Sequence, residues 1–247
     1  MSLEGRLRPV RDLTGGERRR MRALLAAYFA HVEPRVFERD LAEKEWVIQL
    51  KDIDTHELKG FSTLMRLYAL VDGRRVTAFF SGDTIVDRAC WTEAALPRHF
   101  ARHAFALAAA ERRDAPDAPV YWFLISSGYK TYRSLPLFFR EFYPTYAVPT
   151  PTATRRLIDA FGALKFPREY DPGSGIIRPA HRTPLRAGVG DIEPRLMSNP
   201  HIAFFAAANP GHRAGDELAC LTALDPDNLT PAGRRMLYGR KEAPPTP

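Results

Sequence analysis

The chain is nearly devoid of cysteine: Cys90 and Cys220 are its only two, with no CxxC spacing. That speaks against a disulfide framework and against a thiolate zinc site, and it suits a reducing, cytoplasmic compartment. Long apolar runs are missing as well. Nothing approaches the ~18 residues a membrane helix needs, and the opening MSLEGRLRPVRDLTGGERRR has no apolar core of a signal peptide. A cytoplasmic protein with no membrane span is therefore expected. There is no G-x-S-x-G, no Walker A and no G-x-G-x-x-G, which removes the usual hydrolase, NTPase and dinucleotide signatures. Helix-turn-helix, zinc-finger and RNP patterns are absent too, so nucleic acid is not the expected partner.

What is present is positive charge. Lys and Arg number 36 against 29 Asp and Glu, a net +7, with the arginines scattered apart from Arg18, Arg19 and Arg20. Such a surface favours acidic partners, including phosphorylated cofactors and acidic carrier proteins. A G+C-rich coding sequence is the plainer source of the arginines.

Hydrophobic periodicity divides the chain into elements. Residues 6–13 predict a short first strand. Thr14 with Glu17 three residues on has capping-box spacing, opening a helix that carries Met21, Leu24, Leu25 and Tyr28 on one face. Pro34 opens a second helix. A strand at 45–50 is followed by two strands flanking Asp72-Gly73, a strong hairpin signal. Gly82 interrupts the second of these, as glycine does at a bulge or a close backbone approach. Pro97 stands in the first turn of a further helix. VYWFLIS, closing at Ser126, then reads as a central strand covered on both faces. In GYKTYRSLPLFFREFYP, Pro136 forbids one straight helix. A short helix over 128–134 and a second from Leu135–Pro136, with Phe138, Phe139 and Phe142 inward, are expected. From Pro144 onward lie 15 of the 21 prolines, which suggests a loop-rich region with one helix near 193–211 and one strand near 216–224. The expected organisation is a domain over 1–145, a Pro-rich extension over 146–240 packed on it, and a disordered tail over 241–247.

This order of strand, two helices, strand, hairpin, helix, apolar strand and helix resembles the GNAT acyltransferase fold over about residues 6–145. The resemblance implies an α/β (α+β) protein: a mixed, mostly antiparallel twisted sheet flanked by helices, with the Pro-rich extension added. It also implies transfer of an acyl group from acyl-CoA or an acyl-carrier-protein thioester to a small amine or amino acid. No tightly bound cofactor and no metal are expected; the CoA or phosphopantetheine thioester is a co-substrate. In that family a bulged fourth strand parts from the fifth, and bulge amides hold the thioester carbonyl. The matching positions are Ser81 and Gly82 on one strand and Ser126 and Ser127 on the other, the serines reaching the pantetheine amides. Tyr132, with Tyr129 as the second choice, stands where the family places a tyrosine that protonates the leaving thiolate. Glu93 and Asp87 flank the would-be cofactor loop as bases, and Arg88, Arg98, Lys130 and Arg133 would contact phosphate. The plainer reading of the tyrosines is an aromatic helix face packed on the sheet, and of the cations a solvated surface.

One departure matters. The family's Q/R-x-x-G-x-G/A pyrophosphate loop should fall in VDRACWTEAALPRH, which contains no glycine. A carrier-protein donor, as in the acyl-homoserine-lactone-synthase and N-acyl amino acid synthase branch, is one consequence. A non-catalytic ligand- or protein-binding module is the other. His99 and His103 have the i,i+4 spacing of metal ligands, but no HExxH glutamate lies between them. Cys90 in the preceding loop has no evident triad around it, and residues 199–218 suit either a lid or a structural crossing.

Overall fold

The computed structural model describes residues 2–91, 94–116 and 118–239. Its strands are β1 (Leu3–Pro9), β2 (Trp46–Asp52), β3 (Leu58–Val71), β4 (Arg74–Val86), β5 (Val120–Ser126), β6 (Tyr170–Asp171), β7 (Ile176–Ile177) and β8 (Glu217–Ala223). They form a single sheet in the order β1-β2-β3-β4-β5-β8-β7-β6. Every neighbouring pair is antiparallel except β4 and β5. The helices are α1 (Gly15–Tyr28), α2 (Pro34–Ala42), α3 (Ala95–Asp114), α4 (Tyr129–Tyr132), α5 (Ser134–Phe138), α6 (Thr152–Lys165), α7 (Pro200–Ala208) and α8 (Pro231–Tyr238).

Local chemistry accounts for the first half. The Thr14 hydroxyl accepts the Glu17 amide and the Glu17 carboxylate accepts the Thr14 amide, so the capping box closes and α1 starts where its spacing predicts. Asp72 and Gly73 both have positive φ, 51° and 75°, which matches the strand twist in a two-residue hairpin. Strand alternation then sorts side chains between two faces. Ile48, Leu64, Phe79, Trp122, Leu124 and Cys220 pack in the core cluster that includes α3, α4, α5, α7 and α8 side chains. Ala78, Phe80, Phe123 and Leu221 lie on the opposite face with α6, while Val47, Phe61 and Ile85 lie there with α1 and α2.

The outcome differs from expectation in three places. The first strand spans Leu3–Pro9, and Val10–Asp12 is a 3-10 turn rather than its end. The second post-β5 helix stops at Phe138. From there residues run extended, with Phe139 bridging Leu229 and Tyr143 bridging Leu221, because the free edge of β8 and the turn before α8 offer backbone partners. Phe139 and Phe142 are buried all the same. Third, the Pro-rich half holds more regular structure than one helix and one strand. Three of its prolines sit at α-helix starts: Pro151 is the N-cap of α6, and Pro200 and Pro231 lie in the first turns of α7 and α8. There the missing N–H costs nothing. The tail 241–247 lies outside the described residues.

The capping box makes a direct stability prediction. Thr14→Ala should destabilise the protein by about 1 kcal/mol, the usual loss for a side-chain N-cap. Urea denaturation with an unchanged slope would show it.

Candidate active site

The parallel pair β4–β5 is hydrogen-bonded in register from Thr77↔Val120 to Ser81↔Leu124. Beyond that point the two strands keep only their outer neighbours. β5 continues against β8 through Ile125↔Ala219 and Ser126↔Leu218. β4 continues against β3 through Thr84↔Ser62. The sheet therefore opens between them. The Trp122 indole N–H donates to Ser81 Oγ at 2.8 Å and pins the strands together just before they part. At the opening, Leu64 pairs with Ser81 and Ser62 with Thr84. Gly82 and Asp83 thus stand opposite Thr63 alone, a β-bulge. A Cβ on Gly82 would lie 2.9 Å from Lys44 Cε and 3.0 Å from Thr63 Oγ1, so glycine is what lets the buried lysine pass beneath the bulge.

A cavity of about 350 Å³ adjoins the opening on the α1–α2 face, lined among others by Phe80, Asp83, Ile125, Ser127, Lys44 and Glu217. Lys44 is buried and bonds the Asp40 carboxylate at 2.8 Å and the Asp40 carbonyl at 3.0 Å. Lys165 bonds Glu43, and both ammonium groups lie within 6 Å of the Phe80 ring centre, at 5.7 and 5.8 Å. The carboxyl groups of Asp83 and Glu217 have no hydrogen bond or ion pair among the described residues. Desolvation raises the Asp83 carboxyl first, and repulsion from Asp40 adds to it, with Lys44 and Lys165 opposing. Glu217 is pushed up to about 8, by desolvation first and then by Asp83 and Asp40, against Lys44. Two carboxyl groups on opposite sides of a split sheet thus titrate near neutrality, as proton acceptors for an amine must.

No protein-family model matches the chain, and no curated protein does. Among solved structures it is similar to a conserved Enterococcus faecalis V583 protein described as a probable N-acyltransferase. That match has 14% identity over 56% of this chain and 33% of that one, with a TM-score of 0.42. It is also similar to Saccharomyces cerevisiae N-myristoyltransferase with bound myristoyl-CoA, at 13% identity over 50% and 31% of the chains and a TM-score of 0.36. A third is a GNAT family N-acetyltransferase from Escherichia coli in complex with CoA, at 13% identity over 56% and 70% and a TM-score of 0.34. The chain spans about a third of the length of the first two. Such values transfer neither activity nor substrate. The architecture stands on this chain's own topology: seven strand contacts with one parallel pair, opening at a bulge. In this arrangement the sheet resembles the GNAT fold.

Within this GNAT-like sheet the expected site residues fall into three groups. Ser81, Gly82 and Ser127 border the cavity beside the opening. Ser126 is buried and donates to the Gly128 carbonyl. Arg88 and Lys130 gather around Trp91, with Lys130 Nζ 3.8 Å and the Arg88 guanidinium 5.2 Å from its ring; Thr131, next to Lys130 in the chain, lines the cavity. Burial and Arg88 together lower the Lys130 ammonium. Residues 184–190 follow the cavity-lining Thr183 and run beside this cluster. The Ala30 amide donates to Pro184 and the Arg186 amide to Tyr28, while Lys130 Nζ donates to the Val189 carbonyl at 2.8 Å.

The third group lies elsewhere. Tyr129 and Tyr132 are buried in the opposite-face core. Tyr132 packs against Phe142, Phe204 and Phe205, and its hydroxyl donates to the Pro144 carbonyl at 2.9 Å. Burial drives that phenol far up. Arg133 is exposed, and Glu93 lies outside the described residues. Asp87 accepts the Ala89 amide as a turn cap. His99 Nε2 accepts the Gly5 amide, and no group of three or more His, Cys, Asp and Glu is placed to hold a metal among the described residues. No described helix is long and apolar enough to cross a membrane.

Glu217, Lys44 and Lys165 were not anticipated. Each sits in a stretch whose local pattern reads as surface or strand end, and only the Asp216-Glu217 pair opening an apolar strand hinted at a buried acid.

The raised Glu217 carboxyl has a signed consequence. Below about pH 4.5 both folded and unfolded states hold the proton; between there and about 8 only the folded state does. Stability should therefore fall as pH rises through that window. Glu217→Gln should flatten the fall and make the protein more stable than wild type at pH 8.5, as read from urea melts at pH 5, 7 and 8.5.

Proposed function

We propose that the protein is an N-acyltransferase that moves an acyl group from an acyl-CoA or acyl-carrier-protein thioester to a small amine. The observation that carries this reading is the opening of β4 from β5 at the Gly82–Asp83 bulge, facing a cavity with two unpaired carboxyl groups. The thioester enters the opening with its carbonyl toward the bulge amides, which stabilise the oxyanion as it forms. The amine loses its proton to Glu217, with Asp83 beside it, and attacks the carbonyl carbon; the C–N bond forms and the C–S bond breaks. Arg88 and Lys130 around Trp91 suit the phosphates of the donor, whether on CoA or on a carrier.

Tyr132 keeps the role of proton donor to the thiolate only if its hydroxyl leaves Pro144 during turnover. Tyr132→Phe separates the two readings. Loss of about 1 kcal/mol of stability with kcat per folded molecule nearly unchanged identifies a packing residue, whereas a large loss of kcat at unchanged KM identifies the donor.

Free-thiol release from a panel of acyl-CoA and acyl-carrier thioesters should depend on added amine and rise with pH to a plateau near 8. Glu217→Gln should lower kcat/KM by about a hundredfold or more. The glycine-free segment after β4 favours the second reading, a module that holds a ligand without turnover. Thioester retained intact with every amine would establish that reading instead.

A further inference from the structure

The cavity carries a charge opposite to that of the chain as a whole. The protein has a net +7, yet this cavity presents Glu33, Asp40, Glu43, Asp83, Glu169 and Glu217 against Arg39, Lys44 and Lys165. The two lysines are already committed, Lys44 to Asp40 and Lys165 to Glu43. Glu33 faces His181 Nε2 at 3.1 Å. Asp83, Glu169 and Glu217 are left without an ion pair or side-chain hydrogen bond among the described residues, and the one uncommitted cation, Arg39, is on the exposed side of α2. The same cavity is also lined by Phe80, Ile125 and Phe166, the two phenylalanine rings lying near the committed lysines. Burial makes the unpaired Asp83 and Glu217 carboxylates costly, and a cation entering beside them favours their charged forms.

We infer that the acceptor is a dication without a carboxylate of its own, a diamine or polyamine whose reacting ammonium lies between Asp83 and Glu217. Its second cationic group extends past these apolar side chains toward Glu169 and Glu33. One positive charge would satisfy only part of the unpaired acid. A zwitterionic amino acid would bring a carboxylate into a cavity whose lysines are taken. Methylene groups between two ammonium groups match phenylalanine and isoleucine side chains that line the same cavity as the carboxylates. The inference rests on the transfer reading only in calling this ligand an acceptor; the cavity chemistry selects a dication either way.

Calorimetric titration of the wild-type protein without any thioester tests it, using three probes: 1,4-diaminobutane, 1-aminobutane and ornithine. The first differs from the second by one charge and from the third by one carboxylate. Diaminobutane should bind at least about tenfold tighter than either, a difference of about 1.4 kcal/mol. Asp83→Asn and Glu217→Gln should each remove most of that preference while retaining a cooperative melt. Equal or tighter binding of either comparison probe, no binding of diaminobutane, or a preference intact in both variants would overturn the inference. The transfer reading is separately exposed: diaminobutane that binds as expected but accepts no acyl group from any thioester would sink that reading and leave the dication site standing.

Discussion

The bulge at Gly82–Asp83 is the constraint from which the rest of the site follows. A single extra residue opposite Thr63 ends the regular partnership of β3 and β4 at the same level where β4 leaves β5. It also turns Asp83 into the α1–α2 face and leaves room for the Lys44 side chain against Gly82. Continued regular pairing would make this region another stretch of closed core, as it is from Thr77 to Ser81. Trp122 marks the boundary: its indole N–H is satisfied by Ser81, so the last closed rung of the sheet has a buried side-chain bond of its own.

Opening a sheet exposes polar groups, and this protein meets that cost with charge arranged in depth. Lys44 is buried yet bonded to both the carboxylate and the carbonyl of Asp40, so its ammonium retains partners inside the fold. Lys165 does the same from α6, and the two cations share the face of Phe80. Asp83 and Glu217 receive the field of these cations without a direct bond to them, and desolvation outweighs that field. The pair is therefore held near the point of ionisation. Residues 184–190 join the end of α1 to the start of α4 through backbone bonds and Lys130, and Pro179, Ala180, His181, Thr183 and Glu217 line the cavity, so the later part of the chain completes a site framed by the earlier part.

Much of the frame was legible because it depends on neighbours in sequence. Thr14 and Glu17 cap α1 over three residues, Asp72-Gly73 supplies the two positive-φ positions of a hairpin, and Gly82 interrupts an otherwise β-branched and aromatic strand. The two short helices break at Arg133, and Pro136 stands in the first turn of the second, where its missing N–H leaves no bond back to Tyr132. The region after Pro144 was harder to read because proline is ambiguous: it ends regular structure in a strand or helix interior, but it begins α7 and α8 and caps α6. Tyr132 carried the same ambiguity. An aromatic beside a strand end reads alike whether its hydroxyl faces a thioester or, as here, the carbonyl of Pro144.

The sequence by itself determined most of the elements up to β5, the hairpin, the bulge position and hence where the sheet opens, since each rests on backbone preferences acting over a few residues. Tertiary structure alone decided which side chains meet at that opening. Asp40, Lys44, Asp83, Lys165 and Glu217 come from α2, the loop after it, β4, α6 and β8. Their ionisation is set by mutual distance and exclusion of water, and neither quantity exists until strands far apart in the chain lie side by side.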